Sequence, residues 1–336
     1  MIPNTFTCGA LFSGIGGFCF GFEEAGFQTT WASDFDEQVK QTYQYNFPNV
    51  EFLKEDINNL KLDDLSPVDV LHAGFPCQSF SQAGNRLGFE DPRGQLFNVM
   101  MDKILESCWA PKILVLENSP YLKTGANGDW FAHVKLRVKK AGYWFDEQNA
   151  IHVSTKHHAG LPQKRERLFM IATHKSFFGF NPFSSVDKST TRVKNLEILE
   201  LEKTHDERYY LSEANRYGKW ILEEGEKLSR GQLIQLRKSV LRPQAVDDCP
   251  TLTANMGLGG HNVPFLVQDG RLRKMTEREC LRMQGFPESF DFPELPSSAK
   301  YRMIGNSVSP AVSRIIAKSV HNELSDQTEF LARSAS

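Results

Sequence analysis

The strongest constraint on the fold is a regular alternation of strand-like and helix-like segments over the first 150 residues. A helix-like segment that ends at Ala25 and another over Asp36–Asn46 separate short apolar runs typical of buried strands. These runs cover Thr7–Phe12, Phe27–Ala32, Val68–Ala73 and Ile113–Leu116, and later ones follow at Tyr143–Ala150 and Leu168–Ala172. Repetition of strand, helix and strand predicts an α/β fold, with a parallel sheet covered by helices on both faces.

The alternation stops after Ala172, where irregular and then charged, aromatic sequence follows. At 336 residues the chain exceeds the usual size of one domain, so a larger and a smaller domain are expected. A capping-box pattern at Thr276–Glu279 and a plausible last helix over Pro310–Glu323 mark a return to regular structure. We therefore predict a larger domain, a smaller domain with helical stretches such as Glu213–Glu224, and a frayed tail. Their ranges are 1–173 plus 276–330, 174–275 and 331–336.

Composition argues against several classes of protein. No run approaches the roughly 18 apolar residues that span a bilayer, and the N-terminus lacks a basic segment followed by an apolar one. The six cysteines are scattered without a CxxC pair, and no His/Cys cluster has the spacing of a zinc site. We therefore expect reduced thiols in the cytoplasm, no metal and no membrane partner.

The distribution of charge is more informative than its total. The net charge of −2 argues against a nucleic-acid partner. However, residues 1–150 carry 12 Lys or Arg against 19 Asp or Glu, whereas residues 151–250 carry 17 against 13. Because binding depends on local charge, the middle of the chain is a candidate phosphate-facing surface. Chance variation on a solvated surface is the alternative.

A cysteine follows one of the predicted buried strands. The segment Gly74-Phe75-Pro76-Cys77-Gln78 comes directly after Val68–Ala73. Ligands and chemistry collect at the carboxyl ends of strands in an open α/β sheet, so a thiol there is a candidate nucleophile. By itself the signal is weak, because most single cysteines are small buried hydrophobic residues.

A glycine-rich segment, Gly14-Ile15-Gly16-Gly17, follows the first predicted strand. Glycines there allow a tight turn and a close approach of a ligand to the backbone. Asp34, about twenty positions later, is placed to bond ribose hydroxyls, and Asp56 could accept a bond from an adenine amino group. The order predicts a nucleoside cofactor. The alternatives are two helix-capping aspartates, or a nicotinamide-dependent dehydrogenase, which would leave the Cys77 segment unexplained.

Two further strand ends carry polar residues. Glu117 follows Ile113–Leu116, and a carboxyl group buried among apolar side chains keeps its proton more readily, which suits proton transfer at neutral pH. Alternation along the segment leading into Leu168–Ala172 would put Arg165 and Arg167 on one face, where one of them could bond a carbonyl oxygen of a ring. Surface ion pairing with Glu166 is the alternative.

Taken together and in this order, the segments FSGIGG, GFPCQ, ENS, QKRER, TERECLRMQGFP and GNSV resemble the bacterial DNA (cytosine-5) methyltransferase family. The resemblance covers nearly the whole chain except a variable stretch near residues 175–240. One position departs from the family pattern, because Ser119 stands where the family usually has Val. The resemblance implies a Rossmann-like S-adenosylmethionine-dependent catalytic domain and a smaller, mixed target-recognition domain over 174–275.

The resemblance also implies roles for individual residues. Cys77 would attack C6 of a cytosine flipped out of double-stranded DNA, Glu117 would hold and protonate N3, and Arg167, supported by Arg165, would bond O2. Ser79–Gly94 would be the loop that closes over the base. The residues implied at the S-adenosylmethionine site are Phe12, Gly14, Gly16, Gly17, Asp34, Phe35, Asp56, Ile57, Pro76, Asn306 and Val308. Because Asn306 is distant in sequence, the C-terminal segment would have to fold back onto the first domain.

The resemblance further implies a cytoplasmic, monomeric enzyme of a prokaryote or phage that protects DNA from a cognate restriction endonuclease. Two alternatives stay open. One branch of the family methylates a tRNA cytosine, although its cysteine motif tends to read Pro-Pro-Cys, whereas this chain has Phe75-Pro76-Cys77. A catalytically silent DNA-binding protein is the other, and the complete set of Cys77, Glu117 and Arg167 argues against it.

Overall fold

The structure is a computed structural model that describes residues 5–80, 87–182, 186, 192–211, 227–237, 240–256 and 263–334. The chain divides into two compact units. The first comprises Met1–Val153, Glu166–Asp187 and Val312–Ser336, and the second comprises Ser154–Arg165 and Lys188–Ala311.

The strands of the described residues are β1 (Phe6–Leu11), β2 (Phe27–Asp34), β3 (Glu51–Lys54), β4 (Val70–Ala73), β5 (Ile113–Asn118), β6 (Tyr143–Trp144), β7 (Ala150–Ser154), β8 (Glu166–His174), β9 (Ile234–Arg237), β10 (Val240–Pro243), β11 (Phe265–Gln268) and β12 (Arg271–Lys274). The helices are α1 (Gly17–Glu24), α2 (Glu37–Asn46), α3 (Pro92–Glu106), α4 (Tyr121–Thr124), α5 (Asp129–Lys140), α6 (Thr155–His158), α7 (Asn195–Ile198), α8 (Glu277–Gln284), α9 (Ser297–Asn306) and α10 (Pro310–Ser334).

The first unit is organised by one sheet with the order β3-β2-β1-β4-β5-β8-β6, and β7 also pairs with β8. The neighbouring strands from β3 to β5 are parallel. The apolar runs of β1, β4 and β5 are buried, as expected for strands covered on both faces, whereas the edge strand β3 has no fully buried residue. The order reverses between β1 and β4, because β2 and β3 lie on one side of β1 and the later strands lie on the other. This reversal is the switch point at which open α/β sheets bind ligands.

The end of the sheet beyond β5 departs from the parallel pattern. β8 runs antiparallel to both β5 and β6. The single strand predicted over Tyr143–Ala150 is wrong, because the chain forms a short strand at Tyr143–Trp144, a turn, and then β7. The turn has a local cause: Asp146 and Asn149 cap it reciprocally, which offers the backbone an alternative to ladder bonds.

The last helix, α10, packs closely on α1. Ser313 Oγ donates to the carbonyl oxygen of Phe18 at 2.8 Å. A Cβ added to Gly21 would fall within 3.0 Å of the backbone nitrogen of Arg314, so only a glycine allows this approach. The residues from Val312 onward therefore belong to the first unit, whereas Asn306 belongs to the second, so the prediction that its segment folds back onto the first domain stays a prediction.

α10 is longer than predicted and continues through Ser334, so the frayed tail over 331–336 is wrong for its described part. Gln327 Nε2 donates to the carbonyl oxygen of Phe177 at 2.8 Å, and Arg333 pairs with Glu329 one turn earlier at 3.0 Å. These bonds hold the last turns in helical conformation.

The second unit contains an antiparallel sheet with the order β10-β9-β11-β12, which the sequence did not predict. Its apolar core comprises Ile234, Leu236, Leu241, Phe265 and Leu272. The predicted capping box is confirmed, since Thr276 Oγ1 accepts from the Glu279 backbone and the Glu279 carboxylate accepts from the Thr276 backbone. The predicted helical stretch Glu213–Glu224 lies outside the described residues.

The compact units do not follow the predicted domain boundaries exactly. Residues 276–311 belong to the second unit, whereas the prediction grouped them with the larger domain. The predicted division into a catalytic and cofactor-binding domain and a target-recognition domain stays a prediction.

Candidate active site

The loop that carries Cys77 leaves the central strand of the first unit. Ala73, the last residue of β4, pairs with Leu11 of β1 on one side and with Leu116 of β5 on the other. The segment after β4 therefore lies between the glycine segment after β1 and the polar end of β5. Cys77 is half-buried, and its carbonyl oxygen accepts from the backbone nitrogen of Phe80 at 3.0 Å. A short 3₁₀ turn thus fixes the chain directly after the thiol.

Glu117 and Arg167 form an ion pair at this edge of the sheet. Because β8 is antiparallel to β5, its beginning lies beside the end of β5, and Glu117 is opposite Phe169. Arg167, two residues before Phe169, is the diagonal neighbour on the same face. Its Nε lies 2.8 Å from Glu117 Oε1, and the glutamate is only 6% exposed. The structure thus brings together the two predicted site residues that were 50 positions apart.

The alternative partner for the arginine is not observed. The Glu166 carboxylate pairs with His152 at 3.2 Å. The hydrogen bond that Arg167 donates to Glu166 goes to the backbone carbonyl oxygen, at 2.7 Å. Surface pairing between the carboxylate of Glu166 and Arg167 therefore does not explain the motif.

Asn118 links the Cys77 loop to the end of β5. Its fully buried side chain donates from Nδ2 to the carbonyl oxygen of Phe75 at 3.1 Å, and its Oδ1 accepts from the Ser119 backbone at 2.8 Å. The sequence analysis did not single it out, although its place beside Glu117 was the available signal. Ser119, which departs from the family pattern, accepts from the backbone of Tyr121 at 3.4 Å, at the start of α4.

The glycine segment after β1 adopts unusual backbone conformations. Phe12, Gly14 and Gly16 have φ of 52°, 53° and 88°, and Gly17 begins α1. A bulky residue with positive φ is a strained outlier of the kind that clusters at ligand sites. A Cβ added to Gly16 would overlap the Phe47 ring, whereas one added to Gly14 would meet nothing within 4 Å. Open space next to the Gly14 backbone leaves room for a ligand.

Asp34 at the end of β2 connects to this segment. Its Oδ2 accepts from the backbone of Gly14 at 3.0 Å, and its Oδ1 accepts from the backbone of Asp36 at 3.2 Å. Burial raises the pKa of Asp34, and these two hydrogen bonds oppose the shift. The cap of α2 is Asp36, so the helix-capping alternative does not apply to Asp34. The neighbouring Phe35 ring is 69% exposed and offers an aromatic face.

The remaining predicted residues of the first unit have different surroundings. Asp56 is exposed, and its carboxylate accepts from the backbone and side-chain nitrogens of Asn58 at 2.8 and 2.6 Å, which is a local turn. Ile57 is buried in the main apolar core, and Pro76 is half-buried next to Cys77. Within the described residues no helix begins directly after Asp56, so the helix-capping alternative does not apply to it, and its predicted bond to an adenine stays a prediction.

Arg165 belongs to the second unit and does not extend the alternation of β8, which begins only at Glu166. The 2% exposed guanidinium donates to main-chain carbonyl oxygens of Leu252, Gly305 and Ser307, at 2.8 to 3.2 Å. Alternation along β8 therefore does not extend to Arg165, and its predicted role in the site stays a prediction. Its contacts hold the end of α9, where Asn306 is exposed and Val308 is half-buried.

The described residues show neither a metal-binding cluster nor a membrane-spanning helix. No group of three or more His, Cys, Asp or Glu side chains there could hold a metal ion. None of the helices in that part of the chain combines the length and apolar character needed to cross a membrane.

Comparison with known proteins decides the family. The profile of the C-5 cytosine-specific DNA methylases matches residues 6–322. The chain belongs to this family. It is a DNA (cytosine-5) methyltransferase that uses S-adenosylmethionine, as its resemblance to the family implied. The dehydrogenase alternative is therefore wrong, and the tRNA alternative is not favoured.

Relatives of the methyltransferase cover almost its whole length. It is 37% identical to the type II methyltransferase M.Bsp6I of Bacillus sp. (strain RFL6), over 94% of this chain and 98% of the relative. It is 34% identical to M.HaeII of Haemophilus aegyptius, over 95% and 93%. It is 32% identical to M.HpaII of Haemophilus parainfluenzae, over 96% and 91%.

Solved structures confirm the predicted α/β fold. The S. pombe Dnmt2 methyltransferase matches with a TM-score of 0.68 and 21% identity, over 93% of this chain and 97% of that one. A putative DNA modification methyltransferase encoded within an E. coli prophage matches with a TM-score of 0.65 and 22% identity, over 95% and 99%. At these identities the likeness concerns the fold.

Proposed function

We propose that Cys77, Glu117 and Arg167 carry the chemistry of this methyltransferase. The observation that supports the assignment is the Glu117–Arg167 pair at the end of β5, beside the loop of the half-buried thiol. A buried carboxylate and guanidinium at the carboxyl end of β5, the strand next to β4, form a polar recognition site for the N3 and O2 edge of a cytosine. The base must leave the duplex to reach them, as enzymes that act on bases require.

The proposed reaction begins when the Cys77 thiolate bonds to C6 of the cytosine. Glu117 holds N3 and delivers a proton there, so that the electron pair displaced from the ring is neutralised, and Arg167 donates to O2. S-adenosylmethionine supplies the methyl group for C5 when it is bound and is left as S-adenosylhomocysteine. A water molecule then accepts the C5 proton as the bond between sulfur and C6 breaks, and the N3 proton returns to Glu117. These steps restore the aromatic ring and the Cys77 thiolate.

The cofactor residues fit this donor. The open space at Gly14, the strained Phe12 and the turn at Gly16 and Gly17 leave backbone accessible to the amino-acid part. Asp34 would accept from the ribose hydroxyls, and the exposed Phe35 ring would stack on the adenine. Asp56 and Ile57 would meet the adenine edge. Pro76, Asn306 and Val308 are proposed to complete the site.

Arg165 has a supporting role in this proposal. Because its guanidinium hydrogen bonds go to carbonyl groups around Gly305 and Ser307, it would act by fixing the segment that contains Asn306 and Val308. Arg165 is therefore proposed as a positioning residue, and Arg167 as the one that touches the base.

We further propose that the enzyme is the modification half of a type II restriction system and acts as a monomer in the cytoplasm of a prokaryotic or phage-infected cell. The curated relatives named above are type II methyltransferases of bacteria. Residues 174–275 would select the target sequence, and residues 1–173 with 276–330 would bind the cofactor and carry out the reaction. Sedimentation or size-exclusion measurements with and without duplex DNA test the monomer.

The decisive experiment compares Cys77→Ser with Cys108→Ser, which changes an exposed thiol of the same unit. Transfer of tritiated methyl groups from S-adenosylmethionine to unmethylated plasmid DNA should vanish in the first variant and persist in the second. Cofactor binding, measured by calorimetry with S-adenosylhomocysteine, should survive in both. Normal C5 methylation by Cys77→Ser would exclude the mechanism.

The same preparation tests the alternatives. Bisulfite sequencing of DNA from cells that express the protein reports activity, base and sequence context together. Methyl incorporation into tRNA but not duplex DNA would favour the tRNA branch. Binding of DNA and cofactor without product on any duplex would favour a silent DNA-binding protein.

A further inference from the structure

Two loops of the active site pack against a single indole ring. Trp130 is the second residue of α5 and is half-buried. Phe80, three residues after Cys77, makes a T-shaped contact with Trp130, with ring centroids 5.4 Å apart. Tyr121, four residues after Glu117, does the same at 5.8 Å. The segments that leave β4 and β5 thus share one contact partner.

Glycines on both segments make room for the indole. A Cβ added to Gly88, in the segment after Cys77, would fall within 3.0 Å of Trp130 Nε1. One added to Gly125, in the segment after Glu117, would overlap the other edge of the same ring, at Cζ3 and Cε3. Gly88 also has a φ of 55°, which a larger residue adopts only with strain. The ring therefore fills a slot whose two walls are glycine backbone.

We propose that Trp130 is a positioning residue that clamps the Cys77 segment to the Glu117 segment and so fixes the separation of nucleophile and carboxylate. The two groups must meet the same pyrimidine ring, and a misplacement of about 1 Å costs on the order of a hundredfold in rate. The hydrogen bond from Asn118 to the Phe75 carbonyl oxygen joins the two segments next to Glu117 and Cys77. Trp130 joins them a few residues farther along each segment, at Phe80 and Tyr121. The inference rests on the proposed roles of Cys77 and Glu117.

The test compares Trp130→Ala and Trp130→Phe with Trp144→Ala. Trp144 is also half-buried in the first unit, and its Nε1 donates to Phe178 at 3.0 Å, but it lies on the edge strand β6. Single-turnover methyl transfer at saturating plasmid DNA should fall about tenfold or more in Trp130→Ala. The KM for S-adenosylmethionine should change by less than about twofold. Trp130→Phe should recover part of the rate, and Trp144→Ala should keep it.

A second readout does not depend on activity. Alkylation of the intact protein by iodoacetamide, followed by peptide mass spectrometry, gives the rate at Cys77 relative to the exposed Cys108 in the same molecule. Loss of the indole should raise this ratio about threefold or more, because the half-buried Cys77 becomes accessible. Trp144→Ala should leave the ratio unchanged.

The outcomes separate the inference from the proposed function. An unchanged alkylation ratio together with an unchanged single-turnover rate per folded Trp130→Ala molecule would overturn the inference. A wild-type protein that transfers no methyl group would overturn the proposed function, and the alkylation ratio would then still report whether Trp130 positions the thiol.

Discussion

A histidine in the centre of the sheet should make the protein sensitive to acid. His72 lies in β4 with no exposed surface and stacks on Phe18 at 4.8 Å. Its Nε2 is 3.9 Å from Cys19 Sγ, and Nδ1 has no hydrogen-bond partner among the described residues. Burial lowers the pKa of His72 from 6.5 to about 3, because a charged imidazolium is poorly solvated there.

The sign and size of the effect follow from proton linkage. Between pH 6.5 and about 3 the unfolded state binds a proton at this position that the folded state does not, so the free energy of unfolding falls as the pH decreases. One pKa unit corresponds to about 1.4 kcal/mol. At pH 5.0 the burial of His72 therefore lowers the free energy of unfolding by on the order of 2 kcal/mol relative to pH 8. The loss continues down to the folded-state pKa.

Urea unfolding of the wild type and of His72→Phe at pH 8.0 and 5.0 measures this cost. Phenylalanine keeps an aromatic ring against Phe18 but does not titrate, so contributions from the other ionisable groups cancel in the comparison. The wild type should lose about 2 kcal/mol more than the variant between the two pH values. Identical losses would show that His72 is not protonated on unfolding in this range, and the reasoning from burial would be refuted.

Two further substitutions test contacts that place the site. Asn118→Asp puts an acceptor against the Phe75 carbonyl oxygen, and we expect a cost of about 1–3 kcal/mol in the free energy of unfolding together with a strongly reduced single-turnover rate. A variant with unchanged stability and an unchanged single-turnover rate would show that this hydrogen bond does not hold the Cys77 loop. Gly21→Ala places a Cβ against the backbone of Arg314 and should lower stability in urea by about 1–3 kcal/mol. Gly179→Ala, where a Cβ meets nothing within 4 Å, is the control, and equal stabilities of the two variants would contradict the close packing of α1 on α10.

The sequence predicted the parallel half of the fold well and the rest less well. The strands near residues 7, 70 and 113 are buried along almost their whole length, so they appear as mainly apolar runs that are visible without the structure. The sheet of the second unit was missed because its strands have four residues each and three of the four carry charges. The prediction of one strand over Tyr143–Ala150 was wrong for a different reason, because a capped turn interrupts the segment.

The sequence alone determined which chemistry is present. Cys77, Glu117 and the glycine segment each stand at or just after the end of a strand, Arg167 stands where a strand begins, and their order in the chain pointed to one family. Only the tertiary structure decided which of these groups meet. The antiparallel register of β8 on β5 pairs Glu117 with Arg167, and the same structure turns Arg165 to backbone carbonyls. The physical reason is that local sequence sets where a strand ends, whereas the partners of its last side chains depend on hydrogen-bond register between segments distant in the chain.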